Sequence, residues 1–527
     1  MKKFKIIFLA EDNKQNIQIN NIIKYLNFRF LEVEIFYIKN MNLTRNSYFY
    51  DLLLNFIFFV EKKFLYKRET IKNKKDVTIK KKNISIKSFV KELSNFNEKY
   101  YADLIIDLSN HNIPNKIINK CKYAFWYINY AEKKKFFIGF WECLLNYKIT
   151  TTHLFEKKYI NNKIVTSCLD TFYLNNKINS WVRNREFIIL KSSNLIIKNL
   201  NRIYYNLKVK RIYPPKNNLH PKIKINTLFR YILTKYCFYL VKSLFNKINI
   251  LNKDVWKIYL LNSSLTNFLS NNNIFEQTQT ISPISNFESA DPFVYEHNNI
   301  DYIFYENNDL ILNKGKISCG ILKDNKLSDI KDILNFNYHL SYPFIWKTKR
   351  DIFLIPESSQ KKSIQIWKSV SFPYKWKIFK TIFKNEYCCD TTIIKDDDDV
   401  NWLLTNKSND QTNDPNNELY IYKIIGNLEK FIPHKLNPVI TDCRTARNAG
   451  YLNFTNKMLR PSQINNSTGY GVGLNINKII TLNLENFKEI IIKTIYPNKK
   501  TNATGLHHIS NTKSKIVIDV REKFNVN

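Results

Sequence analysis

The pattern that most constrains this chain is an apolar strand carrying an acidic residue, which recurs through its C-terminal half. It starts in the run SADPFVYEHNNIDYIFYE at residues 289–306. It returns as RDIFLIPESS at 350–359, DVNWLLTNKS at 399–408, NAGYLNFTNK at 448–457, where the acidic residue is missing, and SKIVIDVREK at 514–523, the first three at a spacing of about 50 residues. Repeats of this period are typical of propellers, so five units predict a five-bladed β-propeller.

The N-terminal part alternates strand and helix signals instead. FKIIFLA at residues 4–10 is an apolar run typical of a strand buried on both faces of a parallel sheet, and ADLIIDLS at 102–109 is another such strand. A stretch with helical spacing lies between them. We therefore predict a multidomain chain: a Rossmann-like α/β domain over residues 1–207, a helical connector over 208–264 and the propeller over 265–527.

The net charge of the 527-residue chain is +37, from 82 Lys+Arg against 45 Asp+Glu. Such a charge fits binding to nucleic acid, anionic lipid or phosphorylated sugars. It also fits the bias of an AT-rich genome, which enriches Lys, Asn and Ile. The basic residues are dispersed and gather on no helix or arm, so we favour compositional bias and disfavour nucleic-acid binding.

Eight cysteines form no CxxC pair and no Cys/His cluster, which predicts reduced thiols, a cytoplasmic location, no metal site and no cofactor. The apolar runs FYDLLLNFIFFVEKKF and LFRYILTKYCFYLVKSLF carry charges and fall short of the roughly 18 to 20 apolar residues that a spanning helix needs. We expect no transmembrane segment, and peripheral contact with a membrane stays open.

Ordered blocks in the C-terminal half resemble the propeller domain found at the N-terminus of plant glucosamine inositolphosphorylceramide transferases and in bacterial proteins. The blocks are ADPFV, YIFYE, HLSYPF, IPESS, FPYKWK, CDTTI, WLLT, HKLNPV, RTARNAG, RPSQ, YGVGL and GLHHI, in that order along the chain. More distantly, the domain is similar to five-bladed glycoside hydrolases. This resemblance implies a sugar or phosphorylated-sugar ligand and a site at the centre of the propeller.

In such hydrolases, carboxylates from successive blades converge on the sugar, because glycosyl transfer needs one carboxyl as acid and another as base or nucleophile. The resemblance implies catalytic roles for Asp291, Glu357 and Asp390. It implies substrate contacts from a second group of residues: Glu306, His339, Tyr342, Arg447, Arg460, Gln463, Tyr470 and His507. A recurring acidic residue can instead cap a turn or fasten neighbouring blades, so both roles remain open. Clustered arginines could alternatively clamp a phosphate.

The segment from ADLIIDLS to INNKIV resembles the formyltransferase fold as it occurs fused in front of the same propeller. GFWE at residues 139–142 and the strand at 149–154 are retained. Formyl transfer relies on Asn, His and Asp side chains that move protons. Here the histidine positions appear as Asn129 and Tyr130, near Glu132, and the Asp position falls near residues 160–162. With His153 as a packed strand residue, we expect a domain that keeps this fold and has lost the activity.

Three functions remain open. The first is a carbohydrate-active protein of glycan, glycolipid or surface-polysaccharide biosynthesis or modification, with its sugar site in the propeller. If it is an enzyme, it performs glycosyl transfer or hydrolysis there, or a residual formyl-type transfer to an amino sugar. The second is a non-catalytic scaffold that recruits partners. The third is a basic nucleic-acid-binding protein, which would require lysines over one continuous face.

Overall fold

A computed structural model gives the structure of the chain. It describes residues 4–10, 16–26, 31–38, 48–65, 84–90, 101–109, 113–130, 137–209, 211–212, 223–237, 254–271, 277–282, 287–312, 314–408, 412–454, 457–497 and 502–523. The chain divides into two compact units, Met1–Phe245 and Asn246–Asn527.

The first unit contains a seven-stranded sheet. Its strands are β1 (Phe4–Ala10), β2 (Leu31–Tyr37), β3 (Ile84–Val90), β4 (Ala102–Asp107), β5 (Cys121–Asn129), β6 (Ile149–Ile160) and β7 (Lys163–Asn175). The order is β3-β2-β1-β4-β5-β6-β7, parallel from β3 to β5 and antiparallel from β5 to β7. The apolar run of β1 is buried at the centre of this sheet, as expected for a parallel strand that is covered on both faces.

The described helices of the first unit are α1 (Asn16–Tyr25), α2 (Tyr48–Val60), α3 (Asn115–Ile118), α4 (Phe140–Leu144), α5 (Trp181–Tyr204) and α6 (Ile225–Ile232). Helix α2 continues as a π-helical turn, Glu61–Leu65, and α6 as a second one, Leu233–Cys237. The long helix α5 begins after Ser180, whose hydroxyl accepts a hydrogen bond from the backbone N–H of Arg183 as an N-cap. Its apolar face packs on the sheet.

The second unit is a five-bladed β-propeller, which confirms the prediction from the repeats. Blade 1 contains β10 (Phe287–His297), β11 (Ile300–Asp309), β12 (Lys314–Lys323) and β13 (Lys326–Leu334). Blade 2 contains β14 (Ser341–Lys347), β15 (Ile352–Glu357), β16 (Ile364–Ser371) and β17 (Lys375–Ile382), with a 3-10 turn at Ser359–Lys361. Blade 3 contains β18 (Cys388–Lys395), β19 (Asn401–Lys407), β20 (Glu418–Ile425), β21 (Lys430–Pro433) and β22 (Ile440–Thr441).

Blade 4 contains β24 (Leu459–Asn466), β25 (Gly469–Leu482) and β26 (Phe487–Ile495). Blade 5 combines β23 (Gly450–Tyr451), β27 (Ala503–Gly505), β28 (Ile509–Asn511) and β29 (Ile516–Lys523) with β8 (Asp254–Leu261) and β9 (Gln279–Thr280). A short helix, α7 (Leu265–Ser270), follows β8.

Strand β8 joins the two ends of the propeller sequence. It pairs antiparallel with β29 along its whole length, from Asp254 opposite Lys523 to Leu261 opposite Ile516. The predicted connector at residues 208–264 therefore includes a propeller strand. Along the sequence, the boundary between the two units falls after Phe245. The position of β8 follows from hydrogen bonding, because an unpaired edge of blade 5 would leave a row of backbone N–H and C=O groups without partners.

Candidate functional site at the propeller centre

The innermost strands of blades 1, 2 and 3 share one irregular position. The pairing register shifts between Ala290 and Phe293 in β10, and β14 and β18 have the same shift. Within each shift lies a residue in the left-handed region: Asp291 at φ 50°, Tyr342 at φ 49° and Asp390 at φ 46°. A positive φ is uncommon outside glycine, and a β-bulge turns a side chain away from its usual direction. The repeated bulge therefore gives these three side chains equivalent positions in neighbouring blades.

A second set of equivalent positions faces these bulges from the next strand. The last paired residue before each bulge lies opposite Glu306 in blade 1, Glu357 in blade 2 and Asn406 in blade 3. The strands β10, β14 and β18 contact one another in turn around the propeller. Asp291, Glu357 and Asp390 thus come from three successive blades, where the resemblance to glycoside hydrolases led us to expect carboxyl groups.

Glu357 and Asp390 bring carboxyl groups from blades 2 and 3 close together. One oxygen of each and the Cys389 sulfur all lie within 4.8 Å of one another. Arg447 Nε donates to Asp390 Oδ2 at 2.5 Å, and Gln463 Nε2 donates to the same oxygen at 3.3 Å. Burial and the charge of Asp390 raise the pKa of Glu357 well above its ordinary value. The raised pKa favours the protonated form of Glu357 beside Asp390, which is paired with Arg447.

Glu306 is held by a histidine whose tautomer is fixed. His339 Nδ1 accepts a hydrogen bond from the backbone N–H of Gly315 at 2.9 Å, so the proton of the neutral ring is on Nε2, which lies 3.2 Å from Glu306 Oε1. Burial lowers the pKa of His339. Burial, and then the charges of Asp291 and Glu288, raise the pKa of Glu306 well above its ordinary value. The centre therefore holds more carboxyl groups than it can keep ionised.

Replacing Glu306 with glutamine should stabilise the protein increasingly as the pH rises. A carboxyl whose pKa is raised on folding favours the folded state below its unfolded pKa of about 4.3, and loses that contribution as the pH rises through the folded pKa. Glutamine is neutral throughout. We expect the free energy of unfolding of Glu306→Gln, relative to the wild type, to increase from below pH ~4.3 to neutral pH in urea titrations.

The control for this variant is Glu296→Gln, on the same blade but exposed to solvent. This control should differ from the wild type by no more than about 0.5 kcal/mol over the same range. A difference between Glu306→Gln and the wild type that stays constant with pH would contradict the assignment of a neutral Glu306.

Asp291 connects three blades through hydrogen bonds. Its backbone N–H donates to Asp519 Oδ2 in blade 5 at 3.0 Å, and its own Oδ2 accepts from the backbone N–H of Tyr342 in blade 2 at 3.1 Å. Its Oδ1 lies 3.2 Å from His507 Nε2. Burial alone would raise the pKa of Asp291, but the positive charges of His507, His508 and Arg447 lower it to about 2. Asp291 is thus an ionised, fully engaged carboxylate.

Tyr470 and Arg447 complete the centre, whereas Arg460 lies apart from it. The Arg447 guanidinium lies 5.4 Å from the centroid of the exposed Tyr470 ring, and that ring lies 5.5 Å from His507. Arg460 is buried and donates to both carboxylate oxygens of Glu489 and to the backbone of Thr445. Its expected contact with a substrate therefore has no support from this geometry.

Three residues of the centre were not predicted from the sequence: Asp519, His508 and Trp256. Asp519 Oδ1 accepts from the backbone N–H groups of His507 and His508, and the Trp256 ring lies 3.9 Å from that of His507. Asp519 is an acidic residue of the last repeat, SKIVIDVREK, so the repeat pattern could have identified it. His508 adjoins His507 in GLHHI. Nothing local marked Trp256, because it comes from the strand that closes the ring.

Of the residues at the formyltransferase-like positions, the structure describes Asn129, Tyr130 and His153. Asn129 ends β5 directly opposite His153 on β6. His153 Nδ1 lies 3.0 Å from Thr171 Oγ1, and burial lowers the pKa of this histidine. Tyr130 is buried, which raises its pKa. Residues 161–162 form the turn between β6 and β7, and Glu132 lies outside the described residues.

The fold and the site together define a class: a five-bladed propeller whose centre is lined by carboxyl groups from successive blades. The chain belongs to the family described as "Glucosamine inositolphosphorylceramide transferase 1, N-terminal", whose model matches residues 236–516.

Similar proteins include the glucosamine inositolphosphorylceramide transferase 1 of Arabidopsis thaliana, 29% identical over 210 residues, which are 39% of this chain and 27% of that protein. The protein of the same name from Oryza sativa subsp. japonica is 28% identical over 235 residues, covering 43% of this chain and 31% of that one. The chain thus spans less than a third of the length of these curated relatives.

Among solved structures, the chain is similar to a thermostable family-43 glycoside hydrolase, with 11% identity, 45% of this chain and 88% of that chain covered, and a TM-score of 0.33. It is also similar to an alpha-L-arabinofuranosidase from Lactobacillus brevis, with 11% identity, 46% and 86% covered, and a TM-score of 0.34.

Proposed function

We propose that this protein is a carbohydrate-active protein of glycan, glycolipid or surface-polysaccharide biosynthesis or modification, and that the centre of the propeller is its sugar site. The proposed reacting pair is Glu357 as hydrogen-bond donor and general acid, and Asp390 as the carboxylate that accepts from the sugar. Glu306, His339 and Tyr470 are the proposed surrounding contacts. Asp291 is proposed to position the blades rather than to react.

The observation that carries this proposal is the closeness of Glu357 and Asp390, within 4.8 Å. Reactions at an anomeric carbon need one protonated and one ionised carboxyl on the same sugar. The raised pKa of Glu357 supplies the first. The ion pair of Asp390 with Arg447 supplies the second. Sites that perform acid and base chemistry typically hold two neighbouring carboxyl groups in different protonation states.

Membership of the family supports the same class of ligand, since its relatives are named glucosamine inositolphosphorylceramide transferases, after an amino sugar. For the first unit, we propose a formyltransferase-like domain without formyl transfer, because Asn129 and Tyr130 stand at the histidine positions and an Asn cannot exchange a proton near neutral pH.

We also propose a cytoplasmic location. No disulfide joins any two of the cysteines that the structure describes. Among the described helices, none combines the length and the apolar character needed to cross a membrane.

A binding screen tests the proposed function. Purified full-length protein would be titrated with neutral oligosaccharides, amino sugars, nucleotide sugars and phosphorylated glycans, with the melting temperature and calorimetric heats as readouts. We expect at least one sugar to bind, and binding to weaken at least tenfold in Asp390→Asn but not in Asp399→Asn, whose side chain is 84% exposed. A folded protein that binds none of these sugars would favour the scaffold instead.

A further inference from the structure

Two neighbouring helices of the first unit expose apolar side chains to solvent. Helix α2 carries four of them at spacings of three and four residues, and α6 with its π-helical turn adds two more on adjacent turns. These six residues, which we call the apolar stripe, are Phe49, Leu52, Phe56, Phe59, Phe229 and Leu233, each between 41% and 61% exposed. Contiguous exposed apolar patches mark sites of contact with a protein or a membrane.

The two helices lie side by side and run in the same direction, so the stripe is continuous. Near their starts, the rings of Phe49 and Phe229 lie 6.2 Å apart. Near their ends, the Tyr236 hydroxyl lies 3.4 Å from the backbone oxygen of Ile57 and 3.4 Å from Glu61 Oε1. A contact at each end therefore holds the exposed side chains of α2 beside those of α6.

The opposite faces of both helices are packed in the interior of the first unit. Their buried apolar residues belong to one core cluster and include Leu53, Leu54, Ile57, Leu228 and Tyr231. The buried carboxylate of Glu61 accepts from the Tyr231 hydroxyl at 2.5 Å and from the backbone N–H of Val182 at 2.8 Å. The helices are thus fixed in orientation. A surface helix ordinarily presents polar residues to water, so an exposed face this apolar indicates a further contact.

Basic residues accompany the stripe. On or next to the two helices, the exposed charged side chains that the structure describes are all basic: Lys62, Lys63, Lys224 and Arg230. The Lys63 ammonium lies 5.2 Å from the centroid of the Phe59 ring, at the end of the stripe. The sequence stays basic beyond this point, with ten Lys and Arg against two acidic residues over residues 62–82. An apolar stripe flanked by positive charge complements an anionic surface.

We propose that the apolar stripe docks this protein on the surface of an anionic lipid membrane. The Phe and Leu side chains enter the boundary between headgroups and acyl chains, and the flanking cations contact the negative headgroups. Lysine suits the edge of such a surface, because its apolar stem packs on the stripe while its charge stays in water. A second copy of the chain suits the stripe less well, because it would bring like charges together. The proposal does not depend on a sugar site in the propeller.

Sedimentation of the full chain with lipid vesicles tests this proposal. We expect the wild-type protein to bind vesicles of phosphatidylcholine mixed with phosphatidylserine about tenfold more tightly than vesicles of phosphatidylcholine alone. Binding should weaken as the salt concentration rises, because salt screens the cations. Wild-type protein that stays in solution with both kinds of vesicle at low salt would overturn the proposal.

Substitutions in the stripe separate apolar docking from attraction by charge alone. Phe56→Ser combined with Phe59→Ser should weaken binding to the mixed vesicles by about tenfold or more, because less apolar surface leaves water. Leu312→Ser, at a residue of the propeller that is 69% exposed, is the control and should bind like the wild type. Unchanged binding in the double variant would contradict the proposal. If the double variant does not fold, Leu233→Ser compared with Leu312→Ser decides.

Substitutions of lysine test the contribution of charge beside the stripe. Lys62→Gln combined with Lys63→Gln should weaken binding by about fivefold for each charge removed. Lys375→Gln combined with Lys377→Gln removes the same charge from an exposed part of the propeller and should have little effect. Equal losses in the two pairs would contradict docking through this surface. A dimer in solution that Phe56→Ser with Phe59→Ser dissociates, without any binding to vesicles, would assign the stripe to a second copy and overturn the proposal.

Discussion

Replacing Arg460 with methionine is expected to lower the free energy of unfolding by about 3–5 kcal/mol, the usual cost of removing one partner of a buried ion pair. Only 2% of the Arg460 side chain is exposed, and its guanidinium bonds both oxygens of Glu489 at 2.8 Å and 2.6 Å. The same group donates to Asn448 Oδ1 and to the backbone of Thr445 and Ala446. Methionine fills similar space but leaves Glu489 and these acceptors without donors.

The matched control is Arg444→Met. Arg444 forms an equally bidentate pair with Asp442, but its side chain is 43% exposed. Pairs in contact with water contribute about 0–1 kcal/mol, so this variant should unfold at nearly the wild-type urea concentration. Equal destabilisation of the two variants would contradict a structural role that is specific to Arg460. A stable Arg460→Met protein with weakened sugar binding would instead restore Arg460 as a ligand contact.

Replacing Glu357 with glutamine is expected not to destabilise the protein, to stabilise it toward neutral pH as for Glu306→Gln, and to lower any turnover of a sugar substrate by about 10²–10⁴-fold. Glutamine has the shape of the protonated acid and, like it, is neutral, so the contact with Asp390 survives. It cannot give up a proton, so general acid catalysis is lost. Substrate affinity should change much less than turnover, because the hydrogen-bond donor is retained.

Asp390→Asn is the informative counterpart to Glu357→Gln. It removes the charge that is paired with Arg447, whose side chain is only 16% exposed. An unpaired buried charge usually costs about 3–5 kcal/mol, so we expect Asp390→Asn to lower the free energy of unfolding by that amount. Chemical denaturation compares the two variants directly. A large loss of stability in Glu357→Gln would show that Glu357 is ionised in the folded protein, which would contradict its proposed role as the general acid.

The propeller followed from the sequence because its strands repeat one pattern, but the closure of the ring did not. The acidic residues of the repeats mark Glu306, Glu357 and Asp519, which take related places in their blades. Strand β8 lies upstream of the first repeat, and its sequence, DVWKIYLL, was not counted among the repeats. Its place depends on an open edge that only the completed ring creates, so residues 254–261 were assigned to the connector.

Many of the residues that lie at the propeller centre were named from the sequence, but the partners that each of them contacts were not. Sequence placed Arg460 among substrate contacts, yet its neighbours in space are Glu489 and the backbone at 445–446. It placed Arg447 there too, and the structure pairs Arg447 with Asp390. Which partner an arginine finds depends on contacts across blades, and no local pattern encodes those. The left-handed backbone of Asp291, Tyr342 and Asp390 was likewise visible only in the structure.

A crystal structure of the protein with a sugar from the binding screen decides whether the propeller centre is the sugar site. We expect a sugar ring at the propeller centre, with hydroxyl or glycosidic oxygens about 2.6–3.2 Å from the carboxyl groups of Glu357 and Asp390. Tyr470 should lie against the ring. A sugar bound elsewhere on the protein, with Glu357 and Asp390 in contact only with each other and with Arg447, would contradict it.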